Sequence, residues 1–199
     1  MCVDLLGRGV EEARARDIAP VIIDFTLGMG GHSEGILSAY DDVHVIGIDR
    51  DPAAIDIATS RLAQFGSRFE AVCTSDDNIV QVLDQRGNPP ISGVLFDLGV
   101  SSLQLDDDAR GFSYSRDTPL DMRMNPAEGT SAAHVLATYS EDDLTRVIST
   151  YGEERYARKI ARAIVADRDH TPWTTTRQLA DLIGRVVPDP KNQRKRSHP

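Results

Sequence analysis

The residues best suited to chemistry stand in three short words of the sequence. The first, Asp24-Phe25-Thr26-Leu27-Gly28-Met29-Gly30-Gly31-His32-Ser33, places three glycines within four residues. Without a Cβ, glycine lets a backbone turn approach a ligand closely, and N–H groups opening a helix then point outward as donors. A strict dinucleotide fingerprint needs a further glycine at position 33, where serine stands, so the pyrophosphate reading loses its third glycine. The second word ends at Asp49, 18 residues beyond Gly31, and a carboxylate there can accept hydrogen bonds from ribose hydroxyls. The third is Asp97, followed by Leu98-Gly99-Val100-Ser101-Ser102-Leu103-Gln104. His32 has no histidine or cysteine at ligand spacing, and His44, His134, His170 and His198 also stand alone, so no metal is expected. Trp173 and Tyr151 have the ring faces to stack on a base, although a buried anchor is the commoner fate of such side chains.

Something must hold those words side by side. Up to residue 105, short apolar runs alternate with helical patterns: strands over 21–24, 43–48, 69–73 and 94–97, and helices over about 33–40, 52–65 and 79–85. Runs apolar on both faces, joined by helical crossovers, predict an α/β fold with a doubly wound parallel sheet. Ligands of such sheets sit beyond the carboxyl ends of the strands, where Asp24, Asp49 and Asp97 would line one edge. Asp51 and Pro52 read as an N-cap and a first helical residue, and Asn88-Pro89-Pro90-Ile91 reads as a turn. After residue 105 a loop over 106–129 leads into helices near 131–139, 141–150, 153–168 and 174–186, with no convincing strand. In the third, Ala157, Ile160, Ala161, Ile164 and Val165 form an apolar stripe, and Arg155, Arg158, Lys159 and Arg162 lie off it.

The chain has 199 residues, 40% hydrophobic and 27% charged, which excludes collagen-like and wholly disordered classes. No apolar run approaches a membrane span and the start lacks a secretory pattern, so a cytoplasmic protein without a membrane partner is expected. Cys2 and Cys73 stand far apart, against a disulfide scaffold or zinc module, and are expected to be inert. The net charge of −9 resides in residues 1–104; the remainder is neutral overall, and from Leu144 onward 12 bases face 6 acids. That segregation points to a polyanion-facing surface, with solvated helix faces as the plainer alternative.

Taken together, these words resemble the bacterial 16S ribosomal RNA cytosine-N4 methyltransferases of the MraW/RsmH type. The resemblance is carried by Thr26-Leu27-Gly28-Met29-Gly30-Gly31-His32-Ser33, Gly47-Ile48-Asp49-Arg50-Asp51-Pro52 and Gly93-Val94-Leu95-Phe96-Asp97-Leu98-Gly99-Val100-Ser101-Ser102. It continues through Gln104-Leu105-Asp106, Arg110-Gly111-Phe112-Ser113-Tyr114, Pro119-Leu120-Asp121-Met122-Arg123-Met124 and Tyr151-Gly152-Glu153-Glu154-Arg155. It implies a Rossmann-like fold binding S-adenosyl-L-methionine (SAM) plus an all-helical insertion. The corresponding division is a SAM-binding core over 1–104, an active-site loop over 105–130, an RNA-facing helical insertion over 131–190 and a basic tail over 191–199. By motif match, Gly28, Gly30, Gly31 and His32 would surround the methionine part of SAM and Asp49 its ribose. Asp97 and Gln104 would line the adenine and methyl-transfer side.

The chain departs from the family pattern at Leu103, where proline is usual, at Asn125, where aspartate is usual, and near Ser75-Asp76, where an aromatic is usual. Against that pattern the chain reads as shortened at both ends, which would leave the fourth strand as an exposed edge open to homodimer pairing. The implied activity is methyl transfer from SAM to the exocyclic N4 of a cytidine in 16S rRNA, free or in the small ribosomal subunit, with Asp97 as the catalytic acceptor. The rival readings are a catalytically weak or inactive truncated RNA-binding homologue, and a nicotinamide-dependent oxidoreductase, which Ser33 disfavours.

Overall fold

In the computed structural model, residues 2–170 and 172–187 are described. The chain forms two compact units, one ending at Leu103 and the next beginning at Gln104.

The first unit is built on a parallel sheet. After α1 (Cys2–Ala15), the strands β1 (Val21–Asp24), β2 (His44–Asp49), β3 (Phe69–Cys73) and β4 (Gly93–Leu95) are joined through α2 (Gly31–Ala39), α3 (Pro52–Leu62) and α4 (Ile79–Asp84). Their order is β3-β2-β1-β4, so the chain reverses direction across the sheet between β1 and β4. Register sets Ile23 opposite Ile46 and Val94, and Asp24 opposite Gly47 and Leu95. β1 and β2 occupy the centre because their Val and Ile side chains are buried on both faces.

On one face Ile22, Val45 and Leu95 pack with Val10, Leu37 and Leu62; on the other Val21 and Ile46 pack with Val82. Each large aliphatic side chain so buried contributes about 1.5–3 kcal/mol. The outer strand β4 is barer, with Val94 and Phe96 each 51% exposed.

Several expected boundaries move. β4 ends at Leu95 rather than at 97, because Phe25 N–H takes the Leu95 carbonyl at 2.9 Å and β1 then turns away. Asp97 therefore lies in the following loop. α2 starts at Gly31, two residues earlier than the pattern predicted, since Gly30 adopts a left-handed conformation (φ 79°) and caps it. The helix expected over 52–65 ends at Leu62 and continues as 3-10 turns over Ala63–Arg68, interrupted at Gly66. Its start is as expected: the Asp51 side chain accepts Ala53 N–H at 3.1 Å, with Pro52 in the first turn. The 88–91 segment follows a turn in which Gly87 and Asn88 both have positive φ.

The second unit is helical. α5 (Ser102–Asp106), which starts just before it, reaches only the first residues of the stretch read as loop, and a 3-10 turn at Asp108–Arg110 lies within that stretch. There follow α6 (Ala132–Thr138), α7 (Glu141–Gly152), α8 (Ala157–Arg168) and α9 (Thr176–Val186). The helix predicted from 153 begins at Ala157 instead: Glu153 (φ 51°) closes α7, and the Glu154 side chain accepts Tyr156 N–H at 2.7 Å. Leu136, Leu144, Ile160, Ala161, Ile164, Trp173 and Leu182 form the core, joined by Leu120 from the loop. An isolated antiparallel bridge pairs Pro119 with Thr175, and Thr175 with Gln178 forms a capping box on α9. The basic tail over 191–199 lies outside the described residues. Among the described residues no helix is long and apolar enough to cross a membrane.

Candidate cofactor site at the strand ends

Three neighbouring strands, β2, β1 and β4, deliver the candidate residues of the first unit to one end of the sheet. Leaving β1, the chain turns through Thr26-Leu27-Gly28-Met29-Gly30 before α2 begins. Gly28 (φ 51°) and Gly30 (φ 79°) take left-handed conformations that other residues adopt at a cost. Gly30 is also enclosed: a Cβ there would lie 2.9 Å from Leu62 Cδ1 and 3.3 Å from Ala58 Cβ. Gly31 differs, for nothing lies within 4 Å of where its Cβ would be. The backbone at the start of α2 therefore borders open space, with helix N–H groups available to an electron-rich ligand.

Asp49, at the tip of β2, is tied to this turn. Its Oδ2 accepts Gly28 N–H at 2.8 Å and its Oδ1 accepts Asp51 N–H at 2.9 Å. Each carboxylate oxygen can accept a second bond, so Asp49 fixes the turn and keeps capacity for a hydroxyl donor. Asp97 follows β4 and is exposed; its N–H donates to Thr26 Oγ1 at 2.7 Å. His32 is exposed on the first turn of α2.

Asp24 does not line the edge with the other two aspartates. It is fully buried, with Oδ2 accepting the Ser33 hydroxyl at 2.8 Å and Oδ1 accepting Thr26 N–H at 3.2 Å. Burial pushes its carboxyl pKa up, opposed by those two hydrogen bonds. Its part is to clamp both ends of the glycine turn. Ser33, which argued against a pyrophosphate motif, supplies one side of that clamp. The signal missed in the sequence is the Asp24…Ser33 pair of short polar residues flanking the glycines.

Of the predicted residues, Gly28, Gly30, Gly31, His32, Asp49 and Asp97 gather at this end of the sheet. Gln104 belongs to the second unit, where it is buried on α5. Near Ser75 and Asp76, where the family pattern has an aromatic, the Arg50 guanidinium donates to Ser75 Oγ at 2.9 Å and to Asp76 Oδ1 at 3.2 Å. Among the described residues there is no cluster of three or more His, Cys, Asp or Glu side chains arranged for a metal.

The sequence profile of the MraW methylase family matches residues 5–199. The chain belongs to the MraW methylase family. It is 51% identical over 187 residues to the ribosomal RNA small subunit methyltransferase H of Pseudarthrobacter chlorophenolicus, covering 94% of this chain and 57% of that protein. The protein of the same name from Rhodococcus jostii is 50% identical over 188 residues, covering 93% and 56%. That from Beutenbergia cavernae is 48% identical over 198 residues, covering 100% and 58%. The chain thus spans little more than half the length of these curated relatives.

In this MraW-family chain the parallel sheet and its flanking helices form the Rossmann-like methyltransferase fold. The basic stripe on α8 is partly neutralised within the second unit. Arg158 lies 3.6 Å from Asp142 and Arg162 3.4 Å from Glu141, both acids from the first turn of α7. Trp173 is a buried anchor, its Nε1 donating to the Ile164 carbonyl at 3.4 Å, whereas Tyr151 is 77% exposed. Cys2 and Cys73 are both exposed and not joined to each other.

Proposed function

We propose that the first unit binds SAM and that the protein transfers its methyl group to the exocyclic N4 of a cytidine in 16S rRNA, in the cytoplasm. The observation that carries the reading is the clear space at Gly31, where α2 starts, in the same glycine turn whose Gly28 N–H is held by Asp49. The residues present fit a nucleoside-bearing amino acid: an exposed Gly31 with nothing where its Cβ would be, a carboxylate with acceptor capacity, and the start of a helix. A bound SAM would supply an activated methyl group, so no metal is needed.

In this reading Gly28, Gly30, Gly31 and His32 hold the methionine part, and Asp49 accepts from the ribose hydroxyls. Asp97 belongs to the methyl-transfer side. The cytosine amino group is a poor nucleophile because its lone pair is delocalised into the ring. It must be oriented in line with the methyl, and Asp97 does this by accepting a hydrogen bond from an amino proton. The target base has to leave its stack, which costs a few kcal/mol. The small ribosomal subunit or its RNA is the partner the relatives' names indicate.

Calorimetric titration with SAM, followed by transfer of labelled methyl from SAM to small subunits lacking the modification, tests this. Binding and incorporation are expected, with incorporation largely lost in Asp97→Asn. RNA affinity without SAM binding would establish a non-catalytic RNA-binding homologue instead, and incorporation unaffected by Asp97→Asn would remove Asp97 from its role.

A further inference from the structure

β1 and β4 stay paired beyond the point where either is a strand. The last backbone bond of their ladder runs from Phe25 N–H to the Leu95 carbonyl at 2.9 Å. One step on, the rings of Phe25 and Phe96 stack with centroids 4.3 Å apart and planes within 12°. One step further the backbone of β1 has swung into the glycine turn and offers no carbonyl, yet Asp97 N–H still finds an acceptor in Thr26 Oγ1 at 2.7 Å. The hydroxyl stands in for the missing ladder group. Thr26 is itself held, since its own N–H donates to the buried Asp24. A continuous path therefore runs from Ser33 on α2 through Asp24 and Thr26 to the backbone of Asp97.

We infer that Thr26 is a positioning residue, its hydroxyl oxygen holding the Asp97 backbone in fixed relation to the glycine turn. The consequence for catalysis rests on the methyltransferase reading above; the tie itself rests on the hydrogen bond alone. A loop residue that must meet a substrate amino group tolerates little error, and misplacement of about 1 Å can cost a hundredfold in rate. The valine variant is close in shape to threonine but has no acceptor, while serine keeps the oxygen.

The test compares Thr26→Val, Thr26→Ser and Thr26→Ala in the full chain by amide hydrogen exchange resolved at Asp97. SAM titration and methyl transfer at saturating SAM accompany it. In Thr26→Val the Asp97 amide is expected to exchange about tenfold faster, as follows from losing one ordinary hydrogen bond. Turnover is expected to fall roughly 10- to 100-fold while SAM affinity stays within about threefold. Thr26→Ser restores most of the protection and rate. If the valine variant folds poorly, Thr26→Ala gives the same comparison without the β-branch.

Asp97 exchange unchanged in both Thr26→Val and Thr26→Ala would overturn the tie, as would a serine variant no better than valine. Loss of SAM affinity equal to the loss of turnover would show that Thr26 serves only the cofactor turn. A wild-type chain that neither binds SAM nor transfers methyl would overturn the functional reading and the catalytic consequence with it, and the exchange data would still decide the tie.

Discussion

Gly30 and Gly31 are adjacent, yet an alanine at each is expected to do opposite things. At Gly30, alanine must adopt a left-handed φ of 79°, at about 1 kcal/mol, and its methyl must share space with Leu62 Cδ1 at 2.9 Å. Overpacking of this kind adds about 1–3 kcal/mol, so Gly30→Ala should lose about 2–4 kcal/mol of stability. At Gly31 the backbone is helical and a methyl meets nothing within 4 Å. Gly31→Ala should therefore gain about 0.5–1 kcal/mol from reduced unfolded-state entropy. That methyl, however, enters the space assigned to SAM, and a tenfold or greater loss of affinity, about 1.4 kcal/mol, is expected. Urea denaturation and calorimetric titration of both variants separate the effects. A Gly31→Ala protein that binds SAM as tightly as wild type would place the ligand elsewhere, and an unaltered Gly30→Ala protein would refute the packing argument.

Three further outcomes follow from buried or paired groups. Asp24 has its pKa raised above the ordinary 3.8 by burial, so it binds more protons folded than unfolded. Its contribution to stability is greatest below that value and declines as pH rises through the folded pKa; the stability of wild type minus that of Asp24→Asn should fall over the same range, and a pH-independent difference would contradict this. Asp121 behaves oppositely: hydrogen bonds from Arg123, at 2.8 and 2.7 Å, hold its carboxyl below the usual 3.8. Asp121→Asn should be less stable than wild type at neutral pH, with the gap closing as acid protonates the wild-type carboxylate, as denaturant titrations between pH 3 and pH 7 would measure. Trp173→Ala should destabilise the helical unit by about 3–5 kcal/mol, read as a lower denaturation midpoint, because the indole is 5% exposed within its core.

Much of the α/β unit can be read from its sequence because each signal there is local. Val21-Ile22-Ile23 and Val45-Ile46-Gly47-Ile48 are uncharged, largely aliphatic runs, each closed by an aspartate, and Asp51 and Pro52 announce a helix within two residues. A run of this kind needs burial on both faces whatever its neighbours are, so a central parallel strand follows from composition alone. The glycine word and Asp49 were legible for the same reason, as residue types whose chemistry does not depend on distant partners. The helix boundary at Gly31 was not, because which glycine of the word takes the left-handed conformation at the helix start is set by how the turn packs, with Gly30 lying against Leu62, some thirty residues away.

The charge pattern of α8 likewise promised more than it delivers. Spacing placed Arg158 and Arg162 on an outward face, but it could not show that Asp142 and Glu141 of α7 lie across from them. By itself, then, the sequence determined the fold class, the parallel sheet's central strands and the family, through periodicity and contiguous words. Only the tertiary structure decided which aspartate faces outward. Asp24 and Asp49 end adjacent strands with the same side chain, and only the packing of the chain buries one against Ser33 and leaves the other at the turn with acceptor capacity to spare.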